Sequence, residues 1–217
     1  MLPDSPIEFF DLSWLAVRPM APEVIIAALD LSDPYPATWR QGINATAGDF
    51  WDFDAPDLAH LSRVFITPEV AGWQLVVGGW LGGSDLEDPG RDVAGYCRKL
   101  SSQSGEAHAF TTQGRMDWYS WCLARSGTIQ RHFLWAECPL IDEGTPTAVE
   151  LEYRHGADGS LGWQPDESAV MAIANECSVG PDQLGLLQST GTGLLVTTAW
   201  GRKHGVPSRN LDDTDSA

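Results

Sequence analysis

Short runs of alternating or continuous apolar residues, closed by Gly, Pro, Asn or Asp, make up most of this chain, with helix-spaced stripes between them. Residues 9–18, FFDLSWLAVR, predict a strand. Pro22 then opens PEVIIAALDL, where Val24, Ile25, Ala28 and Leu29 recur at helical spacing. Two prolines and an Asp punctuate SDPYPATWRQG, which predicts a loop. RVFIT and GWQLVVGGW read as two strands joined through PEVA, with Pro68 opening the turn. In RDVAGYCRKLSSQ, Val93, Cys97 and Leu100 share one helical face. Arg98 and Lys99 are expected in its last turns, where cations suit the helix dipole.

EAHAFTT predicts a further strand. DWYSWCLAR and TIQRHFLWA flank Ser126-Gly127, a two-residue hairpin turn. AVELEYRHGADGSLGW reads as a second hairpin with Asp158-Gly159 near its turn. QPDESAVMAIANECSV predicts a helix: Pro165 lies near the start, Asp166 and Glu167 occupy the first turn, and Val170, Ile173, Ala174 and Cys177 form the stripe. GPDQLGLL starts another short helix, GTGLLVTTAW predicts a last strand, and the polar end reads as a tail. The pattern predicts one α+β domain over residues 1–204 and a flexible C-terminal tail over 205–217. An antiparallel or mixed β-sheet built from hairpins would carry two to four helices packed on one face. On the strand DWYSWCLAR both faces are apolar, with Trp118, Cys122 and Ala124 on one and Tyr119, Trp121 and Leu123 on the other. Either helices cover both faces or one face is an interface.

Charge narrows the function. Thirteen basic against thirty acidic residues give a net −17, which opposes binding to nucleic acid or anionic lipid and favours encounter with a basic partner. No apolar run reaches the length of a membrane span, and the N-terminus lacks the basic start of a secretory signal, so a cytoplasmic location is expected. Cys97, Cys122, Cys138 and Cys177 form no C-x-x-C pair, and Cys97, Cys122 and Cys177 are expected to be buried and reduced. No nucleophile-elbow, zincin or phosphate-loop motif is present, and STGTGLL lacks the third glycine of a nucleotide loop. No cofactor and no metal are expected. Among the five histidines, His108 and His132 are expected to face solvent or to pair structurally. An acid cluster at Asp85, Glu87 and Asp88 reads as a turn.

The segment GDFWDFDAPDLAH, residues 48–60, sets aspartates among large aromatics with no Lys or Arg. Asp52 and Asp54 fit the first two places of a calcium loop, but Pro56 and Asp57 occupy the third place and the glycine place. Paired carboxylates for acid–base work need a second partner element that the segment does not supply. Two readings remain. The rings anchor an ordinary surface loop, or they form a recognition edge whose carboxylates meet Arg or Lys of a partner. The candidate contact is Asp49, Phe50, Trp51, Asp52, Phe53, Asp54 and Asp57.

PATWRQG, RVFITPEVAGWQLVVG, CRKLSSQSGEAHAF and MAIANECSVGPDQL together resemble a group of uncharacterised actinobacterial and myxobacterial proteins, over most of residues 12–195. Hairpins on helices, acidic charge and ten tryptophans are loosely similar to bacterial toxin-immunity proteins. Neither resemblance implies a catalytic residue. The expectation is a non-enzymatic acidic interaction module, an immunity or defence component binding a basic protein partner. The alternatives are a small-molecule-binding domain or enzyme with a site assembled from distant residues such as Cys122, His132 and Asp117, and a structural subunit of a larger assembly.

Overall fold

The computed structural model of the chain describes residues 4–51, 59–82, 92–156 and 163–205; of Asp49, Phe50, Trp51, Ala59, His155 and Gly156 it describes the backbone alone. Among the described residues, nine strands form one sheet: β1 (Ser13–Val17), β2 (Ser32–Ala37), β3 (Arg63–Ile66), β4 (Gln74–Val77), β5 (Glu106–Gln113), β6 (Trp118–Arg125), β7 (Thr128–Ala136), β8 (Cys138–Gly144) and β9 (Gly193–Thr197). Their spatial order is β2-β9-β3-β4-β1-β5-β6-β7-β8, and every neighbouring pair is antiparallel. The α+β class therefore holds. The predicted hairpins β3–β4 and β6–β7 are present, and Ser126 and Gly127 take φ of 48° and 79°, the left-handed pair that a tight hairpin turn requires.

Helices lie on both faces, not on one. Trp14, Phe65, Phe110, Trp121 and Phe133 pack beneath α2 (Trp39–Trp51), α4 (Ala148–Gly156) and α5 (Glu167–Cys177). Leu15, Val17, Val64, Val76, Ala107 and Cys122 pack beneath α1 (Pro22–Ala28), α3 (Val93–Ser104) and α6 (Ala199–His204). The reason is visible in the strands: alternate residues such as Trp14 and Leu15 are both fully buried, so each pleated face needs a cover.

Four local expectations are corrected. SDPYPATWRQG is the edge strand β2 followed by the start of α2. Pro34 and Pro36 are tolerated because an edge strand has one unpaired side and spares a missing N–H. Thr38 and Gln41 close the start of α2 reciprocally: the Gln41 N–H donates to Thr38 Oγ1 (3.2 Å) and the Thr38 N–H to Gln41 Oε1 (3.0 Å). Gly42 is required there, since a Cβ would meet the Phe65 ring at 2.2 Å. Residues 148–156 form α4, not a hairpin strand; the Glu150 N–H donates to Thr147 Oγ1 (3.1 Å), while Asp158 and Gly159 lie outside the described residues. CPLIDEG, unassigned from pattern, is the edge strand β8. Arg98 and Lys99 sit mid-helix, because α3 continues to Ser104; Lys99 Nζ instead donates to the Ala28 carbonyl (3.0 Å) at the end of α1. Residues 199–204, taken partly into the polar end, form α6, capped by Thr198.

Candidate functional site

Of the nominated acid–aromatic segment, Asp49, Phe50 and Trp51 form the last turn of α2; Asp52, Phe53, Asp54 and Asp57 lie outside the described residues. Asp85, Glu87 and Asp88 also lie outside them.

The distant-residue alternative comes together only in part. Cys122 and His132 are direct partners across β6 and β7. Asp117 stands before β6 in a left-handed turn and accepts from Gln164 Nε2 (3.0 Å). Cys97 Sγ reaches the Cys122 carbonyl at 3.9 Å. The hydrogen bond with Cys122, and burial, push the Cys97 thiol well above its ordinary value. Burial pushes His132 down. A buried imidazole that resists protonation is poorly suited to take a thiol's proton. Cys97 and Cys122 are buried as expected, Cys177 is half-buried and Cys138 is exposed.

At one end of the sheet, where β1 and β6 begin and β5 ends, carboxylates gather around Tyr119. Asp11 Oδ1 accepts the Gly114 N–H (3.0 Å), and Asp166 accepts the Ala169 N–H (2.9 Å) as the cap of α5. Burial, then Asp117, Asp166, Glu167 and Asp11, raise the Tyr119 phenol; burial and Asp11 raise the Glu167 carboxyl. Phe10 (52% exposed) and Met116 (60% exposed) flank the Asp11–Gly114 bond in sequence. This rim of acids with exposed apolar side chains combines the same chemistry as the nominated segment, in residues whose grouping pattern reading did not anticipate.

The second feature is a cleft of about 470 Å³ beside the other end of β5. Arg18, Glu106 and Arg125 occupy one row across β1, β5 and β6, because Val17 pairs with Ala107 and Glu106 with Arg125. Arg18 Nε (2.8 Å) and Nη2 (2.7 Å) donate to Glu106 Oε2, and Arg125 Nε donates to Glu106 Oε1 (3.0 Å). Burial pushes the Glu106 carboxyl up, but the hydrogen bonds from Arg18 and Arg125 outweigh it and hold it below its ordinary value. The Arg18 guanidinium lies 4.0 Å over the Trp73 ring. His108, on the same face, is buried between Trp73 and Phe110, and its Nδ1 accepts the Ala124 N–H (3.3 Å). Burial pushes it down to about 4. His108 thus pairs structurally and does not face solvent. Cys177 lines the cleft, its thiol pushed up to about 12 by burial and by Glu176 and Glu106. The cleft therefore offers fixed guanidinium donors and a neutral imidazole, and no ionised thiol.

A second ion cluster has a fully buried centre, Arg131 with Glu150. Arg131 Nε donates to Glu150 Oε2 (2.9 Å), Arg131 Nη2 lies 2.5 Å from Glu150 Oε1 and 2.7 Å from Asp142, and Arg154 Nη2 lies 2.7 Å from Glu150 Oε1. Trp121 Nε1 adds a bond to Glu150 (3.2 Å), and Arg154 stacks 4.9 Å from the Trp163 ring. Pattern reading missed both clusters. For α4 a signal existed in Thr147-x-x-Glu150, the spacing of a capping box. The row 18, 106, 125 has no local signal, since only strand pairing joins it.

Among the described residues, no group of three or more His, Cys, Asp or Glu side chains is arranged to hold a metal ion. No helix among them is long and apolar enough to cross a membrane. The chain matches no family model, no curated protein and no solved structure.

Proposed function

We propose that this chain is a non-enzymatic, acidic protein-interaction module that binds a basic protein partner, with bacterial immunity or defence in the cytoplasm as its setting. The observation that carries the reading is the excess of thirty acidic over thirteen basic residues. Such a field steers a basic partner and repels nucleic acid and anionic membranes. Two groups of residues supply this chemistry: in sequence, the segment Asp49 to Asp57, and in the fold, the rim of Asp11, Asp117, Asp166 and Glu167 beside Phe10 and Met116. Exposed apolar side chains supply contact area and the surrounding carboxylates meet Lys or Arg. In the cleft, the raised thiol of Cys177 and the lowered imidazole of His108 disfavour thiolate–imidazole catalysis there.

Affinity capture from the native host at low and high salt tests this, with retained proteins identified by mass spectrometry and titrated by calorimetry. One altered bait carries Asp49, Asp52, Asp54 and Asp57 changed to Asn; a second carries Asp11→Asn and Asp117→Asn. A basic protein retained at low salt, lost at high salt and weakened by one bait is the expected result, and the bait places the contact. Retention independent of salt and of both baits would instead point to an apolar assembly contact. The absence of any stoichiometric partner would remove the reading. The cleft at Arg18, Glu106 and Arg125 favours a second, separate activity, the binding of a small ligand.

A further inference from the structure

We infer that the cleft beside β5 is a binding site for a small zwitterion of amino-acid or dipeptide size, its carboxylate held by Arg18 and Arg125 and its ammonium group by Glu176. This inference is independent of the protein-partner reading.

The cleft has the volume of a small-molecule site, about 470 Å³. Its charged wall is built in advance. Both guanidinium groups are held on the single carboxylate of Glu106, and Arg18 is also braced by Trp73. A guanidinium carries five N–H donors in a fixed fork. Arg18 donates through Nε and Nη2 to Glu106, and Nη1 makes a long bond to the Gly72 carbonyl (3.4 Å). Arg125 donates through Nε and Nη2. Outward N–H groups remain on both, with side chains 44% and 69% exposed. A planar acceptor with two oxygens, a carboxylate, fits such forks.

The charge sum then decides the class. Arg18 and Arg125 outweigh Glu106 by one positive charge at this wall. On another wall stands Glu176, exposed and with no hydrogen bond or ion pair to a described residue. The four groups sum to zero. A simple dianion would gain from one wall and be repelled by the other. A molecule with a carboxylate at one end and an ammonium at the other complements both. Leu123, Ala124 and Ala148 add apolar lining to the cleft. His108 below stays neutral and adds no charge to this sum.

The test uses the full chain and matched probes: glycine, L-leucine, 4-methylpentanoate (leucine without its ammonium), 3-methylbutylamine (leucine without its carboxylate) and inorganic phosphate. Amide NMR spectra report the site through Ala107, His108, Ala124, Arg125 and Cys177, and calorimetry reports the affinity. The expected result is binding of L-leucine or glycine at millimolar or lower concentration, at least about tenfold tighter than either leucine fragment. Arg125→Gln, at an exposed position, weakens the zwitterion and 4-methylpentanoate by about tenfold or more, whereas Glu176→Gln weakens the zwitterion and leaves 4-methylpentanoate unchanged. An unchanged amide spectrum away from the cleft shows that both variants fold. Absence of amide shifts with both amino acids would overturn the inference. So would tighter binding of phosphate than of either zwitterion, or zwitterion affinity unaffected by both substitutions.

Discussion

Two ion clusters built from the same residue types behave as different devices. In one, the central pair Arg131 and Glu150 is 1% and 0% exposed, enclosed by Trp121 and Phe133 and flanked by the more exposed Asp142 and Arg154. In the other, Glu106 lies between Arg18 and Arg125 at the mouth of a cleft, and both arginines reach solvent. Enclosure makes the first cluster structural. Its charges have lost their water, so each depends on its partner, and together they fix α4 against β7 and β8. Exposure leaves the second cluster with spare donors and little dependence on any one contact. Chemical identity does not distinguish a brace from a binding wall here; burial does.

The largest expected effect breaks the buried cluster. Glu150→Ala leaves Arg131 enclosed with its main partner gone and should cost about 3–5 kcal/mol of unfolding free energy, read by chemical denaturation. Replacing the pair together, Arg131→Met with Glu150→Leu, should recover most of that loss, because no unpaired charge remains. A double variant as unstable as the single one would show that α4 is held by shape and not by charge.

Acid sharpens the comparison next. Burial lowers His108 from 6.5 to about 4 in the folded chain, while the unfolded chain keeps the ordinary value. Between those values the unfolded state binds the extra proton, so stability falls as pH drops from 6.5 towards 4, by up to about 3 kcal/mol. His108→Asn should flatten that slope by one proton, measured by denaturation across the same window. An unaltered slope would place the acid sensitivity elsewhere.

The smallest effect comes from the open cluster. Glu106→Gln removes the negative charge that pairs with two exposed arginines and should cost about 1 kcal/mol or less, shrinking further in high salt. A loss as large as that of Glu150→Ala would erase the distinction between the two clusters.

Much of the fold was legible. The apolar runs of β1, β5 and β6, the Ser126-Gly127 turn, Pro22 at the start of α1 and the stripe of α5 all depend on residues within a turn or a pleat of one another. Local steric and capping preferences act over that range, so they are written locally. β2 was misread because prolines argue for a loop unless the strand is at an edge, and edge position belongs to the whole sheet. α4 was misread because the Asp158-Gly159 turn signal outweighed Thr147 and Glu150.

The sequence by itself determined the α+β class, most of the elements and a strongly acidic net charge. The tertiary structure alone decided that helices cover both faces, that Glu150 is sealed against Arg131, and that Arg18, Glu106 and Arg125 share one row beside a cleft. Arg18 and Glu106 stand 88 positions apart, and only the register of β1 against β5 brings them together. Periodicity describes which way a side chain points along its own strand; it carries no information about which distant strand lies alongside.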